Sequence, residues 1–366
     1  MANRATGGAL SETPFRWTEP STWTPWQQVY ISYSLMGLQL LLSSALILLN
    51  KWLLSTANFG FPIILSSMGM LVSAGASYVL VDVMQLVRVP DETRRLIDAR
   101  FQLTRIQPVA VVAAITLSTG NYAYVYLSVS IIQVLKSFTP VLTLLLLVSL
   151  GMSRPSRKLV ASVCIITAGC VLAARSEVEA AGATTLFGLC IFFSSECAEC
   201  TRVVILDYLL RGAGQASKVK LNGLTTLYYV APYTFAWCQV GALALEWPSF
   251  AERGGYQTMA QYPIALSCAA MMGFGVNLCA FLVIQTARGG SLTFKAAQTA
   301  KNAMLVWVSV LLFGNTVSSN VIIGYAISLV GFGWYTVLQA QQKAADDESL
   351  KLKTDTTPAR VGESKA

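Results

Sequence analysis

The chain has no histidine among its 366 residues, and only 12% of them are charged, against about a quarter in ordinary soluble domains. Without histidine, Ser-His and Cys-His nucleophilic catalysis and imidazole proton relays are excluded. No clear acid cluster replaces them, so an enzyme is not expected. No Asn-x-Ser/Thr sequon occurs, which leaves no glycosylation marker for a lumenal face. The first 27 residues lack a basic stretch followed by an apolar core, so a cleaved secretory signal is not expected. They are also short and poorly basic for an organellar transit peptide. Eight cysteines are present, but Cys164, Cys170, Cys190, Cys238, Cys268 and Cys279 are scattered through apolar runs, as small buried side chains are, and form no disulfide framework. Cys197 and Cys200 make a lone CxxC with no second pair, too little for a zinc site. No cofactor and no metal are expected.

What is abundant is apolar. Hydrophobic residues make up 54% of the chain and mean hydropathy is +0.57. Crossing the hydrocarbon takes about 20 apolar helical residues. Ten runs meet that length, at 29–54, 61–84, 107–128, 130–150, 157–174, 183–210, 221–245, 262–286, 292–313 and 319–340. The expected class is an all-α membrane protein of ten transmembrane helices. The net charge of +8 does not point to nucleic acid, because the basic residues follow alternate loops. Arg88, Arg94, Arg95, Arg100 and Arg105 lie between the second and third runs; Arg154, Arg157 and Lys158 between the fourth and fifth. Arg211, Lys218 and Lys220 lie between the sixth and seventh, and Arg288 between the eighth and ninth. The intervening loops hold only Arg175 and Arg253, beside Glu177, Glu179 and Glu252. This alternation predicts both termini on the cytoplasmic side.

The halves echo each other. Gln133-Val-Leu-Lys136 falls in the fourth run and Gln298-Thr-Ala-Lys301 in the ninth; each apolar run then ends in glycine (Gly151, Gly314), and the next carries another, Gly169 or Gly331. An odd number of helices per half inverts one half relative to the other, which predicts two inverted five-helix repeats at 29–175 and 183–341. They are flanked by a cytoplasmic tail at 1–28 and a disordered one at 342–366.

Lysine near the bilayer centre costs about 2.5 to 3.5 kcal/mol on insertion scales, so one kept there faces a cavity or a partner. Lys136 shares a helical face with Gln133, Ser137 and Pro140; Lys295, Gln298, Lys301 and Asn302 cover one side of the ninth run. Two polar faces of positive charge suit an anion. Lys51, at the end of the first run, is expected to snorkel to the interface. Glu199 and Arg202 can pair at i, i+3, either as structure or with Arg202 added to the anion site. Asn121 and Tyr228 offer hydrogen-bonding and stacking groups. The expected binding set is Lys136, Lys301, Lys295, Gln133, Asn121, Tyr228, Arg202 and Asn302.

Several of these residues sit in longer motifs: Asn50-Lys51; Leu127-Ser128-Val129-Ser130 with Gln133-x-x-Lys136-Ser137-Phe138-x-Pro140; Glu199-x-x-Arg202; Leu227-Tyr228-Tyr229-x-Ala231-Pro232; and Ser291-Leu292-Thr293-x-Lys295 with Lys301. In them the sequence resembles the triose-phosphate translocator and nucleotide-sugar transporter family of the drug/metabolite transporter superfamily. The resemblance implies that Lys136 and Lys301 grip phosphate. Asn302 stands where plastid phosphate exchangers carry arginine, and Thr299-Ala300-Lys301 replaces the Gly-Ala-Leu-Lys of GDP-mannose carriers. The pattern is most similar to the plant and fungal sugar-phosphate/phosphate translocator branch. The implied activity is antiport of nucleotide sugars or sugar phosphates, in Golgi or ER, with an outer plastid-associated membrane as alternative. The partners implied are a small phosphate-bearing anion, a counter-substrate and membrane lipid, with a homodimer as a further expectation. The competing reading is an exporter or permease of neutral metabolites or amino acids with the same fold and structural lysines.

Overall fold

A computed structural model describes residues 24–86, 89, 91–151, 155–181, 183–211, 223–286, 290–313 and 318–355. The principal helices are α1 (Pro25–Lys51), α2 (Pro62–Tyr78), α3 (Gln107–Tyr126), α4 (Val129–Leu135), α5 (Thr139–Ser149), α6 (Arg157–Ala181), α7 (Ala183–Arg211), α8 (Gly223–Leu245), α9 (Pro263–Thr286), α10 (Gly290–Phe313) and α11 (Ser319–Asp355). The described residues contain no strand. Among the described residues seven helical stretches are long and apolar enough to cross a membrane: Val29–Thr56, Pro62–Val83, Ala99–Tyr126, Val129–Ser149, Arg157–Arg175, Pro263–Ala280 and Ser319–Gln341. Helices α7, α8 and α10 have 29, 23 and 24 residues but are not among the seven. Glu196 and Glu199 dilute the first and three tyrosines the second, while the described stretch of the third, Lys301–Leu312, is apolar but shorter. Outward-facing apolar side chains such as Leu311 (84% exposed) and Ile264 (78%) suit contact with lipid.

Local signals explain the boundaries. Thr24 and Gln27 form a reciprocal capping box, with Pro25 where a missing N–H costs nothing, so α1 starts four residues before the expected span. Asp98 accepts the N–H of Phe101 at 2.7 Å and starts the third span at Ala99 instead of 107, which takes Arg100 and Arg105 out of the loop and into the helix. Ser128, accepting from the N–H of Ile131, separates α3 from α4. The fourth span, expected to be one helix, is broken: Lys136–Phe138 is a 3-10 turn. Pro140 is the cause, because it has no N–H for the carbonyl of Lys136. That carbonyl accepts instead the N–H and the hydroxyl of Thr139. At the C-terminus α11 runs on to Asp355, so the charged segment expected to be disordered from Lys343 continues the helix that far. Nothing in Gln342–Thr354 breaks a helix, and Ala, Leu and Lys make up about half of it. The expected topology rests in part on Arg88, Arg154, Lys218, Lys220 and Arg288, and the repeat in part on Gly314; these lie outside the described residues.

The chain forms two compact units, each drawing on both sequence halves. One is Met1–Val125 with Arg202–Phe294, the other Tyr126–Thr201 with Lys295–Ala366. In the first, α2 packs on α8 and α9, with Met70, Leu227 and Ala231 buried together. Its start is fastened from a distance: the N–H groups of Ile63 and Ile64 donate to the two carboxylate oxygens of Glu246, at 2.8 and 2.9 Å. Glu246 follows directly on α8 and is 2% exposed. Burial pushes its carboxyl above the usual carboxylate range, and the two amides pull it partly back. In the second unit α6 packs along α11 at backbone distance. A Cβ on Gly324 would stand 2.5 Å from the carbonyl oxygen of Gly169, and one on Gly331 would stand 2.9 Å from the amide of Ile166. The order of these contacts reverses between the helices, so they run antiparallel. The glycines that echo each other in sequence, Gly169 and Gly331, therefore lie on one interface.

Replacing Gly324 by alanine is expected to cost about 1 to 3 kcal/mol through overpacking. Gly333→Ala, where a Cβ meets nothing within 4 Å, is expected to cost nothing. Thermal unfolding of the purified protein in detergent separates the two.

Candidate anion site

Five of the expected binding residues, Gln133, Lys136, Lys295, Lys301 and Asn302, lie in the second unit. Ser130 on α4 and Ser309 on α10 share a buried hydrogen bond of 2.8 Å. From Ser130 to Lys136 the chain advances six residues, and from Ser309 back to Lys301 eight. At 1.5 Å per residue these are rises of about 9 and 12 Å. The charges of Lys136 and Lys301 do interact. Both facts are met when α4 and α10 run in opposite directions with the two lysines at one level. Lys301 is only 6% exposed, while Lys136 is half-buried at the start of the 3-10 turn.

One turn before Lys136, Gln133 is 1% exposed, and neither its amide nitrogen nor its carbonyl oxygen has a hydrogen-bond partner among the described residues. Buried carboxamides are normally satisfied, and leaving both ends unmade costs about 1 to 3 kcal/mol per group. Asn302 is half-buried beside Lys301. Lys295 lies in the first turns of α10, but its side chain falls outside the described residues. The turn is anchored from outside: Ser137 contacts the thiol of Cys170 at 3.4 Å, which contacts Ser328 at 3.5 Å, linking it to α6 and α11.

Asn121 and Tyr228 belong to the other unit and are tied to protein groups there. Asn121 accepts from Asn50 at 3.3 Å and donates to Ser66 at 2.8 Å, joining α1, α2 and α3. The hydroxyl of Tyr228 donates to Asp82 at 2.7 Å, and Asp82 also pairs with Arg94. The ammonium of Lys51, expected to snorkel, donates to the carbonyl of Tyr124 at 2.6 Å, near the C-terminal end of α3, where positive charge is favoured. Arg202 is half-buried on α7, where the chain passes between the units.

Two buried polar groups of this unit stand outside the expected set. Glu196 is 9% exposed and meets Thr139 beside the 3-10 turn. Its position in an apolar run, three residues before Glu199, was the available signal. Tyr325 on α11 is 8% exposed, with a hydroxyl that has no partner among the described residues. Nothing in the sequence distinguishes it from a packing tyrosine.

Comparison with known proteins adds a further finding. Residues 33–336 match the profile of the Triose-phosphate Transporter family. The chain is similar to a probable sugar phosphate/phosphate translocator of Arabidopsis thaliana, 28% identical over 329 residues, covering 89% of this chain and 92% of the relative. A second protein of that description from the same plant is 29% identical over 334 residues, with 90% and 85% covered. UDP-galactose transporter 1 of Arabidopsis thaliana is 28% identical over 295 residues, with 79% and 81% covered.

Because Tyr228 is tied to Asp82, Tyr228→Phe is expected to lower stability by about 1 kcal/mol. Denaturation monitored by intrinsic fluorescence checks this.

Proposed function

Because this chain belongs to the Triose-phosphate Transporter family, we propose that it is an antiporter exchanging phosphate-bearing organic anions, such as nucleotide sugars or sugar phosphates. The protein is an integral membrane solute transporter and not an enzyme. Its relatives are sugar phosphate/phosphate translocators and a UDP-galactose transporter by description, which supports the substrate class. The observation that carries the proposal is the placement of Lys136 and Lys301 in one unit, at one level beyond the Ser130–Ser309 bond, with the carboxamide of Gln133, which has no partner among the described residues, one turn before Lys136. Two cations suit a phosphate, and a carboxamide with both ends unmade suits the hydroxyl or base edge of what the phosphate carries.

Exchange follows from electrostatics. An empty carrier would have to bury the excess positive charge of Lys136 and Lys301 in a low dielectric while crossing between its two open forms, whereas a loaded one buries a neutralised site. The broken helix at Lys136 supports alternating access, since interrupted helices mark substrate sites in transporters. The antiparallel relation of α6 with α11 supports the inverted five-helix repeat, and with it ten spans and both termini in the cytoplasm. The UDP-galactose transporter among its relatives supports a Golgi or ER membrane.

Proteoliposomes containing the purified protein, tested for exchange of UDP-galactose, glucose 6-phosphate and inorganic phosphate, provide the test. Lys136→Ala and Lys301→Ala should each lower exchange roughly 30-fold or more, as loss of about 2 kcal/mol of charge-assisted binding requires, without lowering expression. Full transport in both variants would remove the assignment.

A further inference from the structure

Glu196 has no part in that reading, yet it touches the same turn. Its Oε2 lies 2.6 Å from Oγ1 of Thr139. The same Oγ1 lies 2.8 Å from the carbonyl oxygen of Lys136. A threonine hydroxyl has one proton to give, and a carbonyl oxygen has none. Both hydrogen bonds therefore form together only when Glu196 brings a proton of its own. With Glu196 ionised, Thr139 turns its proton to the carboxylate and leaves the Lys136 carbonyl with the Thr139 amide alone. The groups facing Glu196 are Lys136 and Thr139 from the broken span and Glu199 and Cys200 from its own helix, while Lys301 acts on Lys136.

We propose that Glu196 is a proton-binding residue of the transport cycle, ionised while Lys136 holds no substrate and protonated when a phosphate-bearing anion settles there, so that anion and proton move together. The proposal rests on the reading of Lys136 and Lys301 as the anion site. An anion on Lys136 cancels the positive charge that an ionised Glu196 faces, leaving a buried carboxylate beside Glu199 with the Thr139 hydroxyl as its remaining support. One proton from the aqueous side that delivered the anion then binds Glu196, which donates it to Oγ1 of Thr139, and Thr139 donates its own to the Lys136 carbonyl. On the far side the anion leaves, Lys136 regains its influence on Glu196, and the proton is released there.

The test uses the full-length protein in lipid nanodiscs with sulfate as probe, because sulfate keeps two negative charges from about pH 5.5 to 8 and brings no titration of its own. Thermal stabilisation reports its apparent affinity. With one proton bound per anion, wild-type affinity should rise by up to about ten-fold for each pH unit lowered within the coupled range. Glu196→Gln, neutral at every pH, should flatten this dependence. Thr139→Val keeps the acid but removes the shared hydroxyl; it should shift the dependence along the pH axis, and it decides the question if the glutamine variant does not fold. A wild-type affinity independent of pH, a wild-type slope retained in Glu196→Gln, or an unshifted profile in Thr139→Val overturns the coupling and leaves the anion site standing. Absence of any sulfate stabilisation in the wild type at every pH overturns both.

Discussion

Positive charge held inside a bundle that faces hydrocarbon must be answered by groups on the same helices, and this requirement organises the unit that carries Lys136 and Lys301. Lys301 is 6% exposed, so bulk water does little for it. The Ser130–Ser309 bond sets the level at which α4 and α10 meet, and that level brings the two lysines within reach of each other's charge. Repulsion between them is a cost that a bound anion converts into a gain.

The second demand comes from the backbone, because apolar surroundings leave no water to satisfy a broken ladder. Pro140 breaks the fourth span, and the protein repairs it with groups already on the turn: the Thr139 amide and hydroxyl for the Lys136 carbonyl, the Ser137 hydroxyl for Val134. The first unit solves the same problem at the start of α2, where Glu246 receives two amides. In both places a polar side chain does what solvent does for a soluble protein, and in the first it also fixes the direction of a charged residue.

Lys136 and Lys301 were legible because charge in a long apolar run is rare and costly, and the repeated Gln-x-x-Lys pattern drew attention to both. The all-helical membrane class was legible from run length alone. The break at Lys136 could have been read from Pro140, four residues on, but periodicity gave more weight to a continuous polar face. The cap of α2 was not legible, since Ile63 and Glu246 are 183 residues apart and nothing local announces their meeting. The same holds for Thr139 and Glu196, 57 residues apart, and for Tyr228, whose hydroxyl finds Asp82 across 146 residues. Partners set by helix packing are invisible to spacing rules. The early start of the third span came from a local signal, Asp98, outweighed by the arginines that follow it.

Where α6 and α11 meet at Gly169 and Gly324, backbone lies against backbone with only the small side chains of Ser328 and Ala173 beside it. Rolling or sliding one helix on the other would drive a carbonyl into a neighbouring backbone, so the contact resists relative motion of the two. The backbone of α11 continues past Gln341, where its apolar span ends, to Asp355. Those extra residues make a handle of about 20 Å. The lever from the contact at Gly324 to the tip at Asp355 is about 45 Å, so a tilt of about 5° at the glycine pivot moves the tip by about 4 Å, and a change small among packed helices is enlarged at the end of the handle.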